Sequence, residues 1–87
     1  MSGLVPAPGV AVVEEPDAVY IAHLPDGPIA VLVGVAAVIW IEACAGERET
    51  LAARVGAALD PAPEDIQQAV DDFILRLIDA GWMAQSD

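Results

Sequence analysis

Few side chains in this sequence are equipped for chemistry, and none has the neighbours that chemistry needs. His23 is the one histidine in the chain, so a metal site would have to recruit Cys44 and carboxylates at unrelated spacings. It reads as an ordinary strand histidine. Cys44 has no CxxC partner and no Lys or Arg within three residues to lower its pKa, which points to a buried structural thiol. Glu14-Glu15 and Asp71-Asp72 are paired only in sequence; general acid–base work needs two carboxylates in different environments of one cleft. Solvated surface charge is the plainer reading. Gly27, Gly34 and Gly46 stand isolated, without a phosphate-cradling pattern. Trp40 and Trp82 read as core and helix-end packing in preference to a ligand platform. No catalytic residue, metal ligand or cofactor is expected, and the chain reads as a non-enzyme.

Composition narrows the field further. The 87 residues make one small domain, too short for separate cofactor and substrate domains. Hydrophobic residues are 56% of the chain, enough for a core and far from disordered compositions. Fourteen Asp and Glu face three Arg and no Lys, a net charge of −11. Phosphate backbones and anionic membranes would be repelled, so neither nucleic acid nor membrane is an expected partner. A lone cysteine forms no internal disulfide, and no cationic start precedes an apolar run, which makes the cytoplasm the expected compartment. The longest uncharged stretch, Gly27 to Ile41, is about 15 residues against the roughly 20 of a spanning helix, and reads as core.

The elements follow from punctuation and period. Met1 to Pro8 carries two prolines and a glycine, which predicts a flexible, irregular N-terminus, and residues 84–87 read as a flexible C-terminus. Gly9 to Val13 is a β-branched run that stops at Glu14-Glu15-Pro16-Asp17; Ala18 to Leu24 resumes a strand pattern, giving a hairpin. Leu24-Pro25-Asp26-Gly27-Pro28 is the strongest turn signal, and Ile29 to Val33 is the third strand. Pro28 has no N–H to donate, which favours an edge position for that strand.

After Gly34 the period changes. Val35 to Ala43 reads as a buried first helix ended by Ala45-Gly46. Thr50 is placed to cap a second helix with Leu51, Val55, Ala58 and Leu59 inward, stopped by Asp60-Pro61. Pro63 with Glu64 and Asp65 predicts the first turn of a third helix that Gly81 ends. Ile66, Val70, Phe73 and Leu77 fall on one stripe, Ile74 and Ile78 extend it, and Gln68, Asp72 and Asp79 lie opposite. Residues 9–83 are therefore expected to form one α+β domain, a three-stranded antiparallel sheet followed by three helices, in a winged helix-turn-helix-like arrangement.

With no reactive cluster, surface remains. An edge strand accepts an extended peptide as a further strand, with the peptide's side chains pressed into an adjacent apolar groove. The third helix is positioned to supply one wall. Leu75, on its polar side, is either an ordinary exposed leucine or part of a contact surface.

Two segments carry a family resemblance. One is Asp26-Gly27-Pro28-Ile29-Ala30-Val31-Leu32, leading through Gly34 into Ala36-Ala37-Val38-Ile39-Trp40. The other is the set Val70, Phe73, Ile74, Leu77, Gly81 and Trp82. In order and spacing the chain resembles the PqqD-like peptide chaperones, the RiPP recognition elements, over roughly Gly9 to Met83. The resemblance implies a protein that binds the leader of a ribosomally made precursor peptide as a strand antiparallel to the third strand. The leader would lie in the groove between that strand and the third helix. It implies no catalysis, and presentation of the precursor to a maturation enzyme: a radical S-adenosylmethionine enzyme, or in lasso-peptide pathways a leader peptidase and a cyclase. Carried over, the backbone of Ile29, Ala30, Val31, Leu32 and Val33 would pair with the leader. Asp71, Ile74 and Ile78 would supply the helix side, with Leu77 at the groove floor. The chain departs from the family at Gly34 and Val35, where Ser or Thr is common, and at Leu75, where a polar residue is usual and a partner-enzyme contact is implied.

Two further functions stay open at this stage. A winged-helix DNA regulator would need a basic recognition helix, yet the second and third helices offer only Arg54 and Arg76. A subunit or oligomerisation module would pair its edge strand with a second copy, giving a homodimer.

Overall fold

A computed structural model describes residues 3–59 and 62–86. Four strands come first: β1 (Gly3–Pro6), β2 (Val10–Glu14), β3 (Ala18–His23) and β4 (Ile29–Val33). Helices α1 (Val35–Ala45), α2 (Leu51–Ala58) and α3 (Ile66–Asp79) follow, and β5 (Met83–Ser86) closes the chain. The architecture is α+β, with an antiparallel three-stranded sheet in the order β2-β3-β4 ahead of three helices.

The chain ends differ from expectation. Gly3–Pro6 is not irregular: it pairs antiparallel with Met83–Ser86 as a separate two-stranded sheet, from Gly3 opposite Ser86 to Pro6 opposite Met83. Pro6 is tolerated because it ends an edge strand, where a missing N–H costs least. Burial of Leu4 and Met83 in the common core supplies a driving force that proline and glycine counting does not register. Next to this pair, the Ala7 N–H donates to the Trp82 carbonyl at 3.0 Å.

In the main sheet the register sets Val13 opposite Tyr20 and Tyr20 opposite Val31. Strand alternation then turns Val19 and Ile21 inward, with Val10, Val12, Ala30 and Leu32 packed on the same core. Trp40, Leu51, Val55, Val70 and Ile74 complete that core from the helices. The turn between β3 and β4 depends on Gly27, whose N–H donates to the His23 carbonyl at 2.8 Å. A Cβ there would lie 2.3 Å from the His23 Cβ and 2.8 Å from its carbonyl oxygen, so no other residue fits.

Gly34, at φ +61°, turns the chain from β4 directly into α1, a conformation costly for any residue with a Cβ. No side chain caps that helix, in keeping with the missing Ser or Thr. Helix α1 buries Ala37, Ile39, Trp40 and Ala43, but Val35 at its start is exposed. It is therefore less enclosed than its composition predicts.

Thr50 does not cap α2 by its side chain. Its hydroxyl donates to the Glu47 carbonyl at 3.3 Å and accepts from Arg54 Nε at 3.0 Å. Arg54 reaches back to the end of α1: Nη1 meets the Glu42 carboxylate at 3.1 Å and the Glu42 carbonyl, and Nη2 meets the Glu47 carbonyl at 2.6 Å. One guanidinium thus serves backbone acceptors that the end of α1 leaves open. Of the expected inner face of α2, Leu51 and Val55 are buried while Ala58 is exposed. The expected stop at Asp60-Pro61 lies outside the described residues.

Helix α3 begins at Ile66, with Pro63 to Asp65 in the approach. Its end is a Schellman arrangement, Gly81 N–H to the Ile78 carbonyl at 3.1 Å and Trp82 N–H to the Leu77 carbonyl at 2.9 Å.

Candidate peptide-binding edge

Strand β4 is the outer strand of its sheet, as Pro28 at its start predicts. Hydrogen-bond parity decides what it offers. The His23 N–H donates to the Pro28 carbonyl at 3.1 Å, which makes that opposed pair a hydrogen-bonded one. In an antiparallel ladder such pairs alternate, so Ala30 and Leu32 bond to β3. Ile29, Val31 and Val33 therefore aim their N–H and C=O groups away from β3, toward the open edge. Among the described residues, no turn, loop or side-chain hydrogen bond reaches the backbone of these three. Their side chains are also the outward ones, exposed at 73%, 52% and 59%. No charge lies between Gly27 and Ile41.

Of the five strand residues implied to pair with a leader, Ile29, Val31 and Val33 are thus placed to do so. Ala30 and Leu32 spend their backbone groups on β3 and their side chains on the core.

The helix side differs from the sequence expectation. Ile74 is fully enclosed and Leu77 is buried, both as core residues; Ile78 is half-buried and packs against that core. Asp71 lies on the same flank, where its carboxylate pairs with Arg48 at 3.1 Å and accepts from Gln67. None of these four lines an open groove beside β4. Helix α3 packs principally on α2 and β5. Its open flank is the opposite one: Asp65, Gln68, Ala69, Asp72, Phe73 and Arg76 line a cleft of about 460 Å³ with Val35, Ala36 and Ile39 of α1. Because α1 starts directly after Gly34, that cleft opens beyond the C-terminal end of β4. A wide apolar arc on a helix shows that one side is buried without showing which flank faces a neighbour. Here the Ile74 and Ile78 flank went inward. The i, i+4, i+7 spacing of Ala69, Phe73 and Arg76 is the signal for the other flank, masked by the polar residues Asp65, Gln68 and Asp72 beside it.

The remaining candidates settle as packing. The His23 ring stacks on Trp82, centroids 4.3 Å apart and tilted by 31°. Among the described residues no group of three or more His, Cys, Asp or Glu side chains could hold a metal ion. Cys44 is exposed, against the expectation of a buried thiol, because it falls on the last turn of α1 beyond the core. Desolvation first, and the Glu14 carboxylate second, hold its pKa above the ordinary thiol value. That is the opposite of an activated nucleophile. Leu75 is exposed. Among the described residues no helix is long and apolar enough to cross a membrane. In comparisons with known proteins, the chain matches no family model, no curated protein and no solved structure.

Proposed function

We propose that this chain is a non-catalytic peptide-recognition protein that takes up an extended segment by strand addition to β4. The segment is the leader of a ribosomally made precursor, and the complex is presented to a maturation enzyme. The observation that carries the reading is the uncharged edge at Ile29, Val31 and Val33, whose backbone groups point away from the sheet. The cleft between α1 and α3 supports it, since Phe73, Ala69 and Val35 offer apolar contact for a residue continuing past the end of β4. Asp65, Asp72 and Arg76 stand at the same cleft and favour a leader with charged residues beside its apolar anchors. The resemblance to PqqD-like proteins, carried by residues 26–40 and 70–82, supplies the substrate class.

A DNA-binding role draws less support. Of the three arginines, Arg48 and Arg54 already hold Asp71 and Glu42, leaving the third helix one cation at Arg76 among Asp65, Asp72 and Asp79.

Titration of the protein with the leader peptide encoded beside its gene tests the reading. Main-chain pairing plus two or three anchors gives micromolar binding or tighter, about −8 kcal/mol. Val31→Pro removes one edge donor and weakens binding at least about tenfold. No binding by the native protein, or equal binding by the variant, overturns the proposal. Light scattering separates it from self-pairing, because a copy of β4 and a leader compete for one edge.

A further inference from the structure

Where β4 gives way to α1 the surface holds a second cleft, of about 450 Å³, distinct from the one between α1 and α3. Its apolar walls are Ala37, Val38 and Ile41 of α1 with Leu59 after α2, and Gly34, the residue after β4, also lines it. Glu15 and Asp17 of the β2–β3 turn supply its charge, and no cation is among its lining residues. Among the described residues no ion pair reaches either carboxylate. The cleft between α1 and α3 differs, because Arg76 stands there with Asp65 and Asp72.

Strand parity connects the second cleft to the open edge. Opposed residues of a paired ladder point to the same face. Residues of an added strand that face Ile29, Val31 and Val33 therefore point to the outer, exposed face with them. The residue facing Gly34 points the other way, to the face that Ala30 and Leu32 share with the helices. Gly34 has no side chain in the way, and a Cβ there would meet nothing within 4 Å. On the other side, Ala18 is the register partner of Val33, which brings Asp17 level with Gly34. An added strand lies two strand spacings from Asp17, about 10 Å, a span that an extended Arg or Lys and a facing carboxylate cover together.

We propose that this cleft is a subsite for one Arg or Lys of the bound peptide, the residue immediately N-terminal to the one that faces Val33. The proposal rests on strand addition at β4, in the antiparallel sense, which is the more stable pairing per residue. The aliphatic stem lies on Val38, Ile41 and Leu59, and the cationic head meets Glu15 and Asp17. The peptide so defined has a cation directly ahead of an uncharged strand.

Three synthetic peptides with blocked ends, titrated into the full chain, test it. The first carries Arg ahead of a short alternating Val/Thr strand, the second moves that Arg to the C-terminal end, and the third replaces it with Gln. The first is expected to bind about fivefold tighter than the other two, the scale of an exposed charge contact with good geometry. In the variant Glu15→Gln with Asp17→Asn the gap closes to within about twofold, whereas Asp65→Asn with Asp72→Asn leaves it in place. Equal binding of all three peptides, weakened by Val31→Pro, overturns the subsite and leaves strand addition standing. Preference for the C-terminal isomer, or a gap closed by the Asp65 and Asp72 changes, also overturns it. So does the absence of binding by all three, and titration with the encoded leader then decides strand addition separately.

Discussion

Strands β2 and β4 are the two edges of one sheet, built from the same valine-rich alphabet, yet they present different things to solvent. At β2 the Leu24 N–H bonds to the Gly9 carbonyl at 2.8 Å, and the Glu15 N–H bonds to the Ala18 carbonyl at 2.8 Å. By the same alternation, Val10, Val12 and Glu14 aim their backbone groups at the open side. The first donor there is taken, Val10 N–H to Ala7 carbonyl at 3.1 Å, and β1 packs beside the strand. A carboxylate, Glu14, ends it. These are the ways proteins blunt an edge. At β4, among the described residues, no turn or loop hydrogen bond takes up the outward backbone groups of Ile29, Val31 and Val33, and no charge lies between them. Hydrophobic strands are therefore not equivalent as docking edges. Uncommitted backbone, cover and terminal charge choose between them.

Proline substitutions break or sharpen this contrast. The largest effect is expected at Leu32, where proline removes a ladder bond to β3 and a core-packed side chain, costing about 3 kcal/mol or more in denaturant melts. Val31→Pro, one residue away, leaves every β3–β4 bond in place and costs within about 1 kcal/mol. Equal losses would mean that the edge parity is misassigned. Ile74→Glu belongs with Leu32: an unpaired carboxylate in a fully enclosed site costs at least about 3 kcal/mol, so loss of leader binding in that variant reports unfolding.

Next is binding. If β4 alone accepts the leader, Val12→Pro on the other edge changes affinity less than about twofold, against the tenfold loss at Val31. Comparable losses at both strands would remove the distinction between the edges.

The smallest effect concerns Cys44, whose thiol feels Glu14 at the end of β2. Its raised pKa means the fold prefers the neutral thiol. That contribution is fully present below the unfolded thiol's pKa and is lost as pH rises through the folded value. The melting temperature of the native protein should therefore fall relative to Cys44→Ser between about pH 8 and 10. Glu14→Gln speeds alkylation at pH 8 by less than about threefold, because desolvation is the larger cause. An unchanged rate would remove Glu14 from the account.

Particular residues mark how far the sequence could be read. Gly27 announced the turn because it acts through its own backbone, and β4 is an edge strand even though the donor that Pro28 lacks faces β3, opposite His23. The strand Ile29–Val33 appears with the expected bounds. The termini depart from the sequence expectation because Gly3–Pro6 and Met83–Ser86 find each other only across the folded chain, and local propensity contains no term for that. Thr50 looks like a cap by type, but its hydroxyl is drawn to Glu47 and Arg54. The flank of α3 was misassigned because a helix carries its apolar arc without a label for what packs on it.

By itself the sequence determined the three strands of the main sheet ahead of three helices, and a strongly acidic composition. Those depend on composition and on periods of two and about four, which are local. Only the tertiary structure decided that Ile74 and Leu77 are core, that Phe73 and Ala69 face a cleft, and that β2 is blunted while β4 is open. Each of those depends on which element lies against which, and on whether a backbone group already has a partner, a question answered only when the chain has closed on itself.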